Sequence, residues 1–295
     1  MTEEYANWSA RDRAPADDER GLRAAIDEPQ PTRRDAVLAL VDAAEDGLDE
    51  ETVAVLDGIV REESDTETRQ FAVEALGVAG TGLPAIERAL DDDEEWVRAE
   101  AVVALSRTEP SATDRLATVL DEDDSGWVRR NALIALAKLG AADEDTYVDC
   151  IKTDPHPSVR EYGAQYLRTG EDTERCVRIL AAVVAREPNA FVRVKAAESL
   201  GEFGTERAQE ALETFGIGDA SDDVRRTAKQ ALARARGVDP DQLDIEDPPA
   251  PGTGPNTPSQ RQAGPVPEGG LPEHRQGGRS EPPSGPGRPP SQHER

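Results

Sequence analysis

The sequence is poor in the residues that most catalytic, export and cross-linked architectures need. Two cysteines, Cys150 and Cys176, stand alone in 295 residues. That excludes a disulfide framework and a zinc site, which need clustered ligands; both thiols read as core positions on helix faces. Of the three histidines, His156, His274 and His293, the last two lie in the final stretch of the chain. No metal and no cofactor is expected from so scattered a set. Aromatic residues make up 4%, so the core has to be built from Ala, Val and Leu. No apolar run approaches the roughly 18 residues that a membrane-spanning helix needs, and no membrane insertion is expected. The opening Met1-Thr2-Glu3-Glu4-Tyr5 has neither a basic nor an apolar region of the secretory kind, and the expected location is the cytoplasm. Positive charge is also scarce, with 34 Lys and Arg against 61 Asp and Glu and a net charge of −27. That sign opposes nucleic-acid binding, which depends on basic contacts to phosphate. A Gly-rich phosphate loop, a Gly-x-Ser-x-Gly elbow and a His-Glu-x-x-His pair are missing too, so no catalytic residue is assigned and the chain reads as a non-enzyme.

What the sequence does contain is a repeat. Arg33, Arg69, Arg98, Arg129, Arg160, Arg193 and Arg225 recur at intervals of 29 to 36 residues. Seven places after each comes Leu40, Leu76, Leu105, Leu136, Leu167, Leu200 or Leu232, and three places after comes Ala, or Gly at 163. Immediately before stands Thr32, Thr68, Val97, Val128, Val159, Val192 or Val224. Six places before stands an acid: Asp27, Glu63, Asp92, Asp123, Asp154, Glu187 or Asp219. Self-similarity at this period predicts stacked supersecondary units. Apolar offsets −1, +3, +4, +6 and +7 share one helical face, and Gly80, Gly140, Gly204 and Gly237 are placed to stop such helices. A first helix fills each gap, as at Glu51–Leu56 and Ala208–Leu212. Neither helix pair can bury its stripe alone, so the fold class is an all-α solenoid of seven helix pairs.

The pattern Val128-Arg129…Ala132…Ala135-Leu136…Gly140 resembles the short HEAT-like repeats of phycobilin lyases and their many non-lyase relatives, over residues 18–237. Two units depart from it by carrying Thr before the anchor, and Tyr166 replaces the usual Ala, so irregular packing is expected there. The composition, acidic and with only Lys138, Lys152, Lys195 and Lys229 as lysines, resembles that of proteins from salt-accumulating haloarchaea. Molar salt shortens screening to about 3 Å and makes such charge density tolerable. Residues 1–17 read as a flexible arm. From 238 to 295 the chain is rich in Pro and Gly without apolar periodicity and reads as a disordered tail.

The acids and arginines read as a structural ladder, each acid accepting paired hydrogen bonds from the arginine of its own unit or of the neighbouring one. The resemblance implies the same structural role and places the second helices on the concave side. There, offsets +2 and +5 carry Phe71, Glu74, Glu100, Val103, Asn131, Ile134, Tyr162, Gln165, Lys195 and Glu198, which read either as a protein-binding strip or as packing between second helices. Trp96, Trp127 and Phe191 read as staples at helix entrances. The expected function is a non-catalytic scaffold or adaptor, monomeric by itself, that binds another protein. The alternative is a lyase-like enzyme or subunit acting on a protein-bound tetrapyrrole. HEAT-like hydroxylases carry repeated His-Glu iron ligands, whereas the single His-Glu here is His293-Glu294.

Overall fold

The computed structural model describes residues 19–243. The arm expected at 1–17, and residues 244–295 of the tail expected at 238–295, lie outside the described residues. Among these residues there are fourteen α-helices and no strand. In order they are α1 (Glu19–Ile26), α2 (Thr32–Ala43), α3 (Glu50–Glu62), α4 (Thr66–Ala79), α5 (Leu83–Ala89), α6 (Glu95–Thr108) and α7 (Thr113–Glu122). They continue with α8 (Gly126–Leu139), α9 (Glu144–Thr153), α10 (Pro157–Tyr166), α11 (Thr173–Arg186), α12 (Ala190–Phe203), α13 (Glu206–Ala211) and α14 (Asp222–Arg236). Odd-numbered helices are the first, and even-numbered helices the second, of seven pairs.

Local chemistry sets the ends. Asp49, Asp65, Asp143, Asp172 and Thr205 each accept a backbone N–H three residues on, opening α3, α4, α9, α11 and α13; these bonds satisfy donors that the helix leaves free. Gly140 ends α8 at φ +68°, a left-handed conformation that a side chain disfavours. Gly80, Gly204 and Gly237 close α4, α12 and α14 in the same way.

The repeat offsets translate directly into burial. All seven leucines at offset +7 are at most 3% exposed. Thr68 and the five valines at offset −1 are completely buried, while Thr32 is exposed, since no described pair precedes its unit. Cys150 and Cys176 are buried free thiols, as their helix positions imply. Each second helix packs on the next, from α2 on α4 through to α12 on α14, whereas the first helices touch one another less. The second helices therefore form the continuous layer of the stack. Small residues let them approach: a Cβ added at Gly77 of α4 would stand 2.5 Å from Ala104 Cβ of α6. Gly77→Ala is expected to cost about 1–3 kcal/mol by overpacking. By contrast Gly58→Ala, mid-helix in α3 with nothing within 4 Å, should stabilise by up to about 1 kcal/mol. Urea denaturation of the two variants checks both signs.

Two places depart from the regular repeat. At Tyr166 the second helix α10 stops after ten residues and passes into the 3-10 turn Leu167–Thr169, with the ring stacked on Tyr147 at 5.9 Å. After Gly237 the chain does not leave the fold at once. Pro240–Gln242 form a 3-10 turn and Leu243 joins the core at 9% exposure, so the ordered region runs past the boundary expected at 237.

Candidate functional site

Six of the seven repeat arginines, Arg33 to Arg193, each grip the acid of the following repeat. Arg129 Nε and Nη2 donate to the two carboxylate oxygens of Asp154 at 2.8 Å each. Its Nη1 donates to the carbonyls of Asp123 and Asp124 at 2.8 and 3.1 Å. One guanidinium thus holds the backbone of its own turn and the carboxylate of the next. The same fork joins Arg69 to Asp92, Arg98 to Asp123, Arg160 to Glu187 and Arg193 to Asp219. Arg33 makes a single bond to Glu63 at 2.8 Å. Each of these acids also accepts the backbone N–H two residues on, as Asp154 does from His156 at 2.7 Å and Asp219 from Ser221. At the head of the series Asp27 has no repeat arginine before it; at the foot Arg225 turns to the Asp219 carbonyl and to Asp222.

These bonds outweigh the cost of partial burial. The hydrogen bonds that Arg129 donates to Asp154 raise the Arg129 pKa above its ordinary value despite burial. Burial opposes ionisation of Asp219, but Arg193 and the Ser221 amide overcome it and hold the carboxyl below its usual range. Glu63 is held down first by the Asp65 amide and then by Arg33, against burial.

The ten residues read as a binding strip all lie on second helices, and all are half-buried. Phe71 and Tyr162 pack against the core cluster. Asn131 is engaged internally, its amide donating to the Ala99 carbonyl at 3.0 Å and its oxygen accepting from Arg130. Lys195 and Glu198 pair with each other at 2.9 Å. Val103, Ile134 and Gln165 stay half-buried along the same layer. Burial pushes the Glu100 carboxyl up to about 7, with Glu74 adding to the shift and Arg107 opposing it. Glu74 is also raised, by burial first, with Arg107 opposing and Asp42 adding. Sequence offsets missed two neighbours, Arg107 and Glu161. The latter lies one place after its anchor, and burial raises its carboxyl against Lys195 and Arg130. Both sit outside the two offsets that the strip was drawn from.

Elsewhere, Trp127 lies against Trp96 at 6.4 Å and edge-on to His156 at 4.9 Å, with the Arg130 guanidinium 4.9 Å above its ring. The staple reading suits Trp127. It does not suit Phe191, 60% exposed. Burial lowers the His156 pKa. An open cleft of about 650 Å³ lies between α7 and α9, lined by Asp121, Asp143, Asp149 and Cys150 among others. Burial and nearby aspartates push the Cys150 thiol up to about 12, which removes it as a nucleophile near neutral pH. Among the described residues no group of His, Cys, Asp and Glu is placed to hold a metal ion, and no helix is long and apolar enough to cross a membrane.

The family model for HEAT repeats matches residues 53–137, 82–168 and 144–233, together more than half of the chain. No curated protein matches it in sequence. Among solved structures it is similar to the complex of CpcE and CpcF of phycocyanin lyase from Nostoc, at 19% identity, covering 80% of this chain and 92% of that one with a TM-score of 0.43. Human deoxyhypusine hydroxylase is 19% identical over 74% of this chain and 84% of its own, with a TM-score of 0.37. Computationally designed armadillo repeat proteins for modular peptide recognition are 17% identical over 73% and 98%, with a TM-score of 0.39.

Proposed function

The chain belongs to the HEAT repeat family, and on that premise we propose that it is a non-catalytic scaffold or adaptor that binds another protein along its second-helix layer, on the concave side of the stack. The observation that supports this reading is the continuous layer of half-buried Phe71, Val103, Ile134 and Tyr162 on a stack tied together by arginine forks. A surface formed before the partner arrives avoids the cost of ordering it, so modest contacts spread over several repeats add up to useful affinity. Such a platform needs no metal, no cofactor and no reactive side chain. We place it in the cytoplasm as a monomer, and we read its acidic, lysine-poor composition as suited to molar salt, where screening relieves repulsion among its carboxylates.

A pull-down in concentrated potassium chloride tests the reading, comparing the full chain with a Tyr162→Ala, Ile134→Asp double variant. The expected outcome is loss of a specific partner with helicity unchanged; an identical partner list would remove the second-helix face from consideration. The medium itself is tested by the thermal midpoint, which is expected to rise between dilute and molar salt. A lyase-like enzyme acting on a protein-bound tetrapyrrole predicts something else: stoichiometric tetrapyrrole binding with a shift in visible absorbance. That result would replace the scaffold reading.

A further inference from the structure

Glu74 and Glu100 are, with Glu161, half-buried carboxyls of the second-helix layer that burial raises. Lys195 is taken by Glu198, and Arg130 by Asn131 and the Trp127 ring. The repeat arginines are taken by the ladder. Among the described residues Glu74 and Glu100 have neither a hydrogen bond nor an ion pair, although charged pairs are abundant elsewhere. The backbone places them together. One turn further along α4 and α6, Gly77 and Ala104 meet so closely that a Cβ on the glycine would lie 2.7 Å from Ala104 Cα. At the level of the glutamates the two helices therefore run side by side, and the Glu74 charge adds to the effect of burial on Glu100. Asp42 of α2 adds further negative charge, and Arg107 of α6 offsets part of it without closing an ion pair. Phe71 and Val103 lie three residues from Glu74 and Glu100 on the same two helices, and Ile134 lies on the next second helix, α8, all half-buried.

Two half-buried carboxyls that close no ion pair, on a layer that also carries apolar side chains, form the complement of a lysine or arginine set among apolar residues. We infer that the partner is a protein segment that inserts a lysine or arginine between Glu74 and Glu100 and lays apolar side chains on Phe71, Val103 and Ile134. The cation relieves the repulsion between the two glutamates and supplies the hydrogen bonds they lack among the described residues. A charge pair of this kind, formed away from bulk water, contributes far more to specificity than a rim contact. With Glu100 sharing a proton near neutral pH, docking drives that proton into solvent. This inference rests on the scaffold reading and names the chemistry of its partner.

The test is selection of short linear peptides from a displayed random library against the full chain at neutral pH, followed by calorimetry of the selected peptides. The expected peptides carry a lysine or arginine beside apolar residues. Glu74→Gln with Glu100→Gln should weaken them about tenfold or more, while Glu87→Gln with Glu210→Gln, an exposed pair with the same change in net charge, should leave affinity nearly unchanged. Binding heats should vary with the ionisation enthalpy of the buffer, the signature of proton release, and that dependence should vanish in the Glu74→Gln, Glu100→Gln protein. Peptides that respond to Ile134→Asp but not to the Glu74, Glu100 pair would overturn the cation inference and leave the scaffold standing. Peptides indifferent to both changes would overturn both. Equal weakening by the two glutamine pairs would mean diffuse attraction to an acidic surface and would also end the inference.

Discussion

Arg129→Ala is expected to cost about 3–5 kcal/mol of folding stability, because it strands a carboxylate that the fold has already taken out of water. Arg129 is 8% exposed, and the side chain of its partner Asp154 is 9% exposed. The substitution removes two bonds to Asp154 and two to the Asp123–Asp124 turn. Asp154 then keeps the His156 amide alone. In a chain of this size the corresponding fall in thermal midpoint is about 10 °C. Arg129→Lys should recover only part of it, since an ammonium carries the charge but cannot reach a carboxylate and two carbonyls as a planar fork does. Thermal melts followed by helical circular dichroism check the order wild type, lysine, alanine. An alanine variant with an undiminished midpoint and abolished partner binding would turn the ladder at this position into a binding element.

Glu100→Gln is expected to act with the opposite sign. The carboxyl is raised from an ordinary 4.5 to about 7 in the folded protein, so folding favours its protonated form. Its contribution is fully present below the unfolded value and is lost as pH rises through about 7. Above that, holding the ionised group in place costs on the order of 3 kcal/mol. Glutamine keeps the shape and removes the charge, so the variant should gain about 2–3 kcal/mol near pH 8 and almost nothing near pH 4.5. Its stability should also no longer decline between those limits from this group. The ladder acids act the other way: Glu63, Glu187 and Asp219 lie below their usual range. Their contribution is present above that range and disappears as pH falls through the depressed values. Urea titrations at the two pH values separate the groups. A Glu100→Gln protein less stable than wild type near pH 8 would reveal a partner inside the chain and remove the basis for an incoming cation.

Much of the architecture was legible because burial in a helical repeat follows fixed offsets. The apolar positions at −1, +3 and +7 and the glycine stops needed only the period of the helix. The direction of the ladder was not legible. An acid six places before an arginine and an acid some two dozen places after it look equivalent until stacking decides which one the guanidinium faces. The same limit applies to the strip. Offsets +2 and +5 located a face, but whether Asn131 spends its amide on Ala99, or Lys195 its charge on Glu198, depends on rotamers across neighbouring helices. Glu100 could not be singled out in a chain where carboxylates are everywhere and only their surroundings differ. Phe191 shows the converse, since a position that suits a staple in one unit stands in solvent in another. Leu243 was lost in a stretch whose prolines dominated the reading.

Because the arginines from Arg33 to Arg193 fasten forward, no internal repeat is sealed within itself: each offers a hook on one side and an eye on the other. Among the described residues, Asp27 is an eye without a hook and Arg225 a hook without a forward eye. Removing one internal unit, or copying one in, would bring together ends that already match. The joint is indifferent to how many times it is used, so length can change by whole modules while the chemistry of each junction stays the same.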